Sequence, residues 1–373
     1  MIIRMLKRQE AKESRALWEQ VFTEDGAAFL DYYYDVKTKN NWIYVVESES
    51  AIRSMVHLNP FELSVEQNEV DSCYVVAVAT DPGYRKRGHM SELLKKSIRD
   101  MYRSGIPFTF LMPADEKIYY PHHFRMVYDQ WQWKAVTSDN EDVVLERLLE
   151  KQKENIVRIR KASLDDCKNM ALFAESVLKH TQQVYVKRDW QYYGQLLQEQ
   201  ESQNGGILIA EYAGQIKGML LYDTWDGFMV REPLVSSDDE DIFERAGLIL
   251  QKEEKKPMIM VRVLCVEKLL ECMKCKEETE FYFELVDPVV SENNKIYLVR
   301  GNEERVMVRT KPVVKGRYND LQKISIGALT SILFGYKRLE KIEEEEQEYF
   351  SLEFKESVKK LKPLKQFFIN EIV

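Results

Sequence analysis

Val76-Ala77-Val78-Ala79-Thr80-Asp81-Pro82-Gly83-Tyr84-Arg85-Lys86-Arg87-Gly88-His89-Met90 is the stretch on which the reading of this chain turns. The segment Asp71 to Ala79 predicts a strand leading into it. After it, apolar residues at Met90, Leu93, Leu94, Ile98 and Met101 recur at helical spacing and predict a helix. Pro107 to Met112 reads as a second buried strand. A strand, a basic turn containing glycine, and a helix start together suit a diphosphate. The turn offers backbone N–H groups, the helix start adds the positive end of its dipole, and Gly88 lets the backbone come close. Arg85, Lys86 and Arg87 add cationic charge.

Outward from this block the chain repeats itself. A short strand at Ile2-Ile3-Arg4 is followed by a helix around Ser14 to Phe22. Tyr32-Tyr33-Tyr34 comes next, and then a strand pair at Ile43 to Glu47 and Ala51 to His57. The same order returns as Val157 to Arg160, a helix around Leu164 to His180, Trp190 to Tyr193, and strands at Gly206 to Glu211 and Gly214 to Tyr222. The period is about 155 residues, too long for a solenoid, and predicts two copies of one α+β domain. The basic block occurs in the first copy only. The reading divides the chain into 1–136, a charged linker at 137–155 with an amphipathic helical pattern at Val143, Val144, Leu148 and Leu149, a degenerate copy at 156–278, and a third α+β unit at 279–373. That unit opens on strands at Phe281 to Val286, Lys295 to Val299 and Arg305 to Arg309. Helices around Asp320 to Leu333 and Ser351 to Leu361 follow. Glu343-Glu344-Glu345-Glu346 is expected to be a solvated run.

Composition narrows the classes. The chain has 373 residues, 45% hydrophobic and 31% charged, with a formal net charge of −8. This excludes a disordered chain and speaks against nucleic acid as a partner. No run of 18 apolar residues predicts a membrane span. The start, Met1 to Lys7, has no room for a secretory core, so a cytoplasmic location is expected. The five cysteines, Cys73, Cys167, Cys265, Cys272 and Cys275, form no disulfide framework. Cys272 and Cys275 lack the second ligand pair of a zinc ribbon. His122 and His123 lie beside no carboxylate or cysteine at ligand spacing, so no metal is expected; either could relay a proton. His57 and His89 carry no site signal of their own.

Arg85-Lys86-Arg87-Gly88-His89-Met90 resembles the Arg/Gln-x-x-Gly-x-Gly/Ala pattern of GNAT acetyltransferases, with Met at the last position. Two tandem GNAT-like units (mixed sheets flanked by helices) and a sterol-carrier-like α+β unit together resemble the Eis-like (enhanced intracellular survival) branch. The resemblance implies an N-acetyltransferase that uses acetyl-CoA and a small-molecule primary amine (a polyamine, an aminoglycoside-like compound or a lysine) in one ternary complex. It implies cofactor contacts from Val76, Val78, Ala79, Thr80, Arg85, Lys86, Arg87, Gly88, His89, Met90 and Ser91, and from Ala114 and Asp115. In Ile118-Tyr119-Tyr120-Pro121-His122-His123-Phe124, it places the general acid at Tyr119, with Tyr120 as rival; His122 and His123 stand where Phe and Gly are usual. It implies that the C-terminal carboxylate of Val373 is the general base, and that the protein is a homo-hexamer. Asp25, Glu24, Tyr33 and Glu371 are candidates for holding a cationic acceptor. The competing reading is a non-catalytic module that binds acyl-CoA or a lipid through the third unit.

Overall fold

The computed structural model describes residues 2–136, 145–146, 148–149, 157–224, 228–314, 321–369 and 371. The linker positions Val143 and Val144, and Val373 at the end, lie outside the described residues. The first copy supplies strands β1 (Ile2–Met5), β2 (Trp42–Ser48), β3 (Ala51–Val65), β4 (Asn68–Thr80), β5 (Phe108–Leu111) and β6 (Arg125–Val136). The second supplies β7 (Val157–Lys161), β8 (Val184–Val186), β9 (Gly205–Tyr212), β10 (Gln215–Asp223), β11 (Met229–Val235) and β12 (Ile249–Val263). The predicted strand pairs are β2/β3 and β9/β10, each an antiparallel hairpin.

Among the described residues these strands join one mixed sheet in the order β1-β2-β3-β4-β5-β12-β6-β11-β10-β9-β7. The outer quartets β1-β2-β3-β4 and β7-β9-β10-β11 repeat one another. Between them the copies exchange strands. β12 lies between β5 and β6 of the first copy, and β6 lies between β12 and β11 of the second. The helix His89–Arg103 buries Leu93, Leu94, Ile98 and Met101 completely, each contributing roughly 1.5–3 kcal/mol.

The third unit is α+β. Its strands Thr279–Val286, Lys295–Gly301, Val306–Pro312 and Lys323–Ser325 form a separate sheet. Phe281, Phe283, Tyr297, Phe350 and Phe354 stack on one another inside it. The helix Ile326–Phe334 is buried at all nine positions and packs on β12 and β6. After it the chain returns to the second copy. Phe367–Phe368 runs parallel to β8, and Gln183 accepts from the backbone N–H groups of Lys365 and Gln366.

The acidic run departs from expectation. It ends the helix Leu339–Glu346, and only part of it is solvated. Glu343 pairs with Lys355 and accepts from the Phe350 N–H; Glu346 is half-buried and holds Arg125 through two hydrogen bonds. Both partners come from other segments, so a local charge pattern could not reveal them.

Candidate functional site

The first copy's sheet is opened at one place. Met55 pairs with Ala79 and His57 with Val76, so two residues of β3 span three of β4. The extra residue makes a bulge at Ala77, whose φ is +49°. β4 meets β5 in parallel at Tyr74 and Phe110, the one register pair described between them. β5 ends at Leu111, so the described pairing stops there and the β4 edge from Val76 to Thr80, which has no β5 partner among the described pairs, can receive an extended polar chain as an added strand. Val76, Val78 and Thr80 are half-buried, alternating with buried Ala77 and Ala79.

β4 leads straight into the basic turn. The Asp81 carboxylate is fixed by Arg53 and accepts from the Gly83 N–H, which turns the chain. Arg85, Lys86 and Arg87 are exposed, and Arg87 also lies over the Tyr84 ring. Gly88 is the N-cap of the helix His89–Arg103, with φ +80° and no side chain to cap it. The first-turn N–H groups of His89, Met90 and Ser91 are therefore left for an outside acceptor. The His89 ring is buried against Tyr84, so its backbone and not its imidazole faces this mouth. A Cβ at Gly88 would meet nothing within 4 Å, so the backbone angle alone demands glycine. A Gly88→Ala variant should bind coenzyme A about tenfold more weakly by calorimetry, the equivalent of about 1.4 kcal/mol and within the cost of a left-handed alanine. An unchanged Kd would remove the helix start from the site.

Beyond β5, Asp115 caps the short helix Glu116–Tyr119 by accepting from the Lys117 N–H. Ala114 and Asp115 are exposed. The chain then makes a tight turn through Tyr120–His122 to His123, whose φ of +63° is left-handed. The turn is thus made with histidine where glycine is easiest. The Tyr119 ring packs on Phe124, and burial pushes its phenol up to about 12. It stays protonated at neutral pH and has a proton to give. Tyr120 faces away: its hydroxyl donates to Glu346 and its ring carries Arg125. Burial lowers His122 and brings His123 to about 4, so both rings are neutral at pH 7.

A cavity of about 440 Å³ lies between the two copies. It is lined by Phe61, Met112, Trp131, Trp133 and Tyr192, and by the carboxylates of Glu199, Glu232, Glu253 and Glu371 with Lys37, Arg231 and Lys256. Met112 directly follows β5, so the cavity reaches the place where β4 and β5 part. Tyr74, stacked on Phe110, lies within the electrostatic reach of Tyr119, Glu371 and Glu199; burial first, then these groups, raise its phenol. Acidic groups and aromatic faces together suit a cationic ligand.

Of the four residues expected to hold an acceptor, the structure brings only Glu371 to this cavity. Tyr33 is completely buried and hydrogen-bonded to Asn59, Asn41 and His57. Asp25 accepts from the Trp18 indole, and Glu24 is exposed beside it; neither lines the cavity. Both belong to the loop before the helix Ala27–Asp35, which packs its tyrosines inward.

Sequence reasoning missed Glu232 and its partner Arg188. Arg188 is buried, paired with Glu232 and 3.3 Å from Glu371, which also accepts from the Tyr192 hydroxyl at 2.9 Å. Glu232 sits on a second bulge. Met219 pairs with Leu234 and Leu221 with Arg231, and the φ of Glu232 is +51°. Register makes it the counterpart of Ala77. The strand was hidden by Arg231-Glu232-Pro233, yet a proline inside a strand is itself a bulge signal.

Comparison with known proteins agrees with this geometry. Residues 2–127 match the acetyltransferase (GNAT) domain, and residues 266–364 the sterol carrier protein domain. The second match opens ahead of Thr279, at the helix Val266–Glu271. No curated protein sequence matches the chain. Among solved structures, a probable N-acyltransferase from Enterococcus faecalis superposes with a TM-score of 0.78 at 16% identity over 98% of each chain. A GCN5-related N-acetyltransferase from Anabaena variabilis does so at 0.76 and 13% over 99% of each. Eis1 from Mycobacterium abscessus gives 0.72 and 13% over 100% of each. At these identities the likeness establishes the fold: a GNAT-type mixed sheet in tandem, with a sterol-carrier-like third unit.

Proposed function

We propose that this chain, whose residues 2–127 are a GNAT acetyltransferase domain, moves an acetyl group from acetyl-CoA to a primary amine held between its two copies. The observation that carries the reading is the parting of β4 from β5 at the Ala77 bulge, leading into an uncapped helix start. Backbone groups of Val76, Val78, Ala79 and Thr80 take the pantetheine arm as an added strand. The N–H groups from Gly88 to Ser91 hold the diphosphate, with Arg85, Lys86 and Arg87 at its rim and Ala114 and Asp115 at the far side of the gap.

The amine enters the acidic cavity and attacks the thioester carbonyl, which a backbone N–H near Val78 polarises. Collapse of the adduct breaks the carbon–sulfur bond. Tyr119 gives its phenolic proton to the leaving thiolate. The α-carboxylate of Val373 takes the proton that the amine loses; Glu371, two residues earlier, lines the cavity, which supports this assignment. The aromatic and acidic lining favours small polyamines or aminoglycoside-like amines, with a protein lysine as the larger alternative. The reading extends to a cytoplasmic homo-hexamer, on the strength of the family resemblance.

The test is direct. Purified protein mixed with acetyl-CoA should release free thiol only when an amine is added, with polyamines and aminoglycosides fastest. No thiol release with any amine of a broad panel, under conditions where calorimetry shows coenzyme A bound, would overturn the catalytic reading.

A further inference from the structure

The turn that presents Tyr119 is held by two buried arginines, and the third unit supplies the counter-charge of each. Arg125, the first residue of β6, donates from Nη1 to the carbonyls of Tyr120 at 2.9 Å and Phe124 at 2.8 Å. Its other edge meets Glu346 through Nε at 2.5 Å and Nη2 at 2.7 Å. Its guanidinium carbon lies 3.6 Å from the centre of the Tyr120 ring. Arg262, on β12, donates from Nε to the His122 carbonyl at 2.9 Å and from Nη2 to Asp287 at 2.8 Å. Asp287 is fixed in turn by the N–H groups of Val289 and Val290 and by Asn293.

The turn makes few such bonds of its own. His123 N–H closes on the Tyr120 carbonyl and Phe124 N–H on that of Tyr119. The carbonyls of His122 and Phe124 point into a dry interior, where an unmet acceptor is costly. The arginines meet both. A guanidinium does this while keeping a carboxylate on its other edge, which a lysine's single ammonium does not. Room for Arg125 is made from the third unit as well. A Cβ on Gly327 would stand 2.3 Å from Nη2 of Arg125 and 2.7 Å from its central carbon. Gly327 lies in the first turn of the wholly buried helix Ile326–Phe334, where glycine costs helix stability and has this space to give.

We propose that the third unit is a positioning clamp for the acid: Glu346 and Asp287 hold Arg125 and Arg262 against the turn, and so fix where the Tyr119 hydroxyl stands over the thiolate. Arg125, Arg262, Glu346, Asp287 and Gly327 are positioning residues that act through the turn and touch no substrate. This inference rests on the reading of Tyr119 as the acid.

The experiment is a double-mutant cycle in the full chain. Glu346→Gln should lower kcat at least tenfold and leave the Kd for acetyl-CoA within twofold, because Glu346 bonds to Tyr120 and Arg125 and to none of the residues assigned to the cofactor. In a Tyr119→Phe background it should lower kcat no further, since no acid is left to misplace. Gly327→Ala, which keeps every charge and pushes Arg125 aside, should repeat the pattern and serves if Glu346→Gln does not fold. Equal proportional losses of kcat with and without Tyr119 would reduce the pairs to general stability and overturn the clamp, as would wild-type kcat in both variants. Full turnover of Tyr119→Phe alone would overturn the acid assignment, and the clamp with it.

Discussion

A Tyr119→Phe variant should turn over 10²- to 10⁴-fold more slowly than the parent, the range a positioned general acid supplies, and bind acetyl-CoA with unchanged affinity. The ring, which packs on Phe124, is kept; only the proton donor is lost. The elevated phenol adds a pH signature. With Tyr119 raised to about 12 by burial, the donor form persists through the whole practical assay range. The kcat profile of the parent should therefore rise as the amine and its base deprotonate, and show no alkaline fall from loss of the acid below about pH 11. A kcat that drops near pH 9 and is insensitive to Tyr119→Phe would place the proton donor elsewhere.

The largest stability effect should come from the pair that closes β12 of the second copy on the third unit. Both side chains of Arg262 and Asp287 are completely buried. Burial lowers the Arg262 guanidinium, and Asp287 opposes this. Burial alone would raise Asp287, but Arg262 and the N–H donors of Val290 and Val289 outweigh it, so the carboxyl lies below its ordinary value. Asp287→Asn leaves the cation unpaired in a dry interior and should cost roughly 3–5 kcal/mol, read as a fall in the denaturant midpoint. The linkage sign is that of a depressed acid. Asp287's contribution is complete above the unfolded carboxyl value and is lost as pH falls through the lower, folded one. Acid unfolding of the parent should thus be steeper than that of the variant. Equal midpoints at neutral pH would show that the interface is held by its apolar contacts alone.

Much of this architecture was legible because local chemistry and global fold agree. The spacing of Met90, Leu93, Leu94, Ile98 and Met101 predicts a helix face; the last four are fully buried, with Ser97 between them, and Met90 at the helix start is half-buried. The basic turn ending at Gly88 reads correctly as a tight strand-to-helix connection. What stayed hidden depends on long-range pairing. The bulge at Ala77 is a register fact between β3 and β4, with no glycine to announce it. The acceptor side stayed hidden for a related reason. Tyr33, Asp25 and Glu24 have suitable chemistry, and only the packing of their helix and loop shows that they face elsewhere. Glu232 and Arg188 meet across 44 residues of sequence, and Glu346 finds Arg125 across 221, distances at which no periodicity operates.

The interleaving of β5, β12 and β6 bears on how such a protein can be cut, borrowed or rebuilt. A fragment ending at Val136 would carry the whole basic turn and Tyr119, yet bare the edge of β5 and leave β6 without either of its neighbours, β12 and β11. The catalytic segment is therefore not a cassette that gene fusion can transplant. Whatever lineage inherits its chemistry must inherit the companion copy along with it.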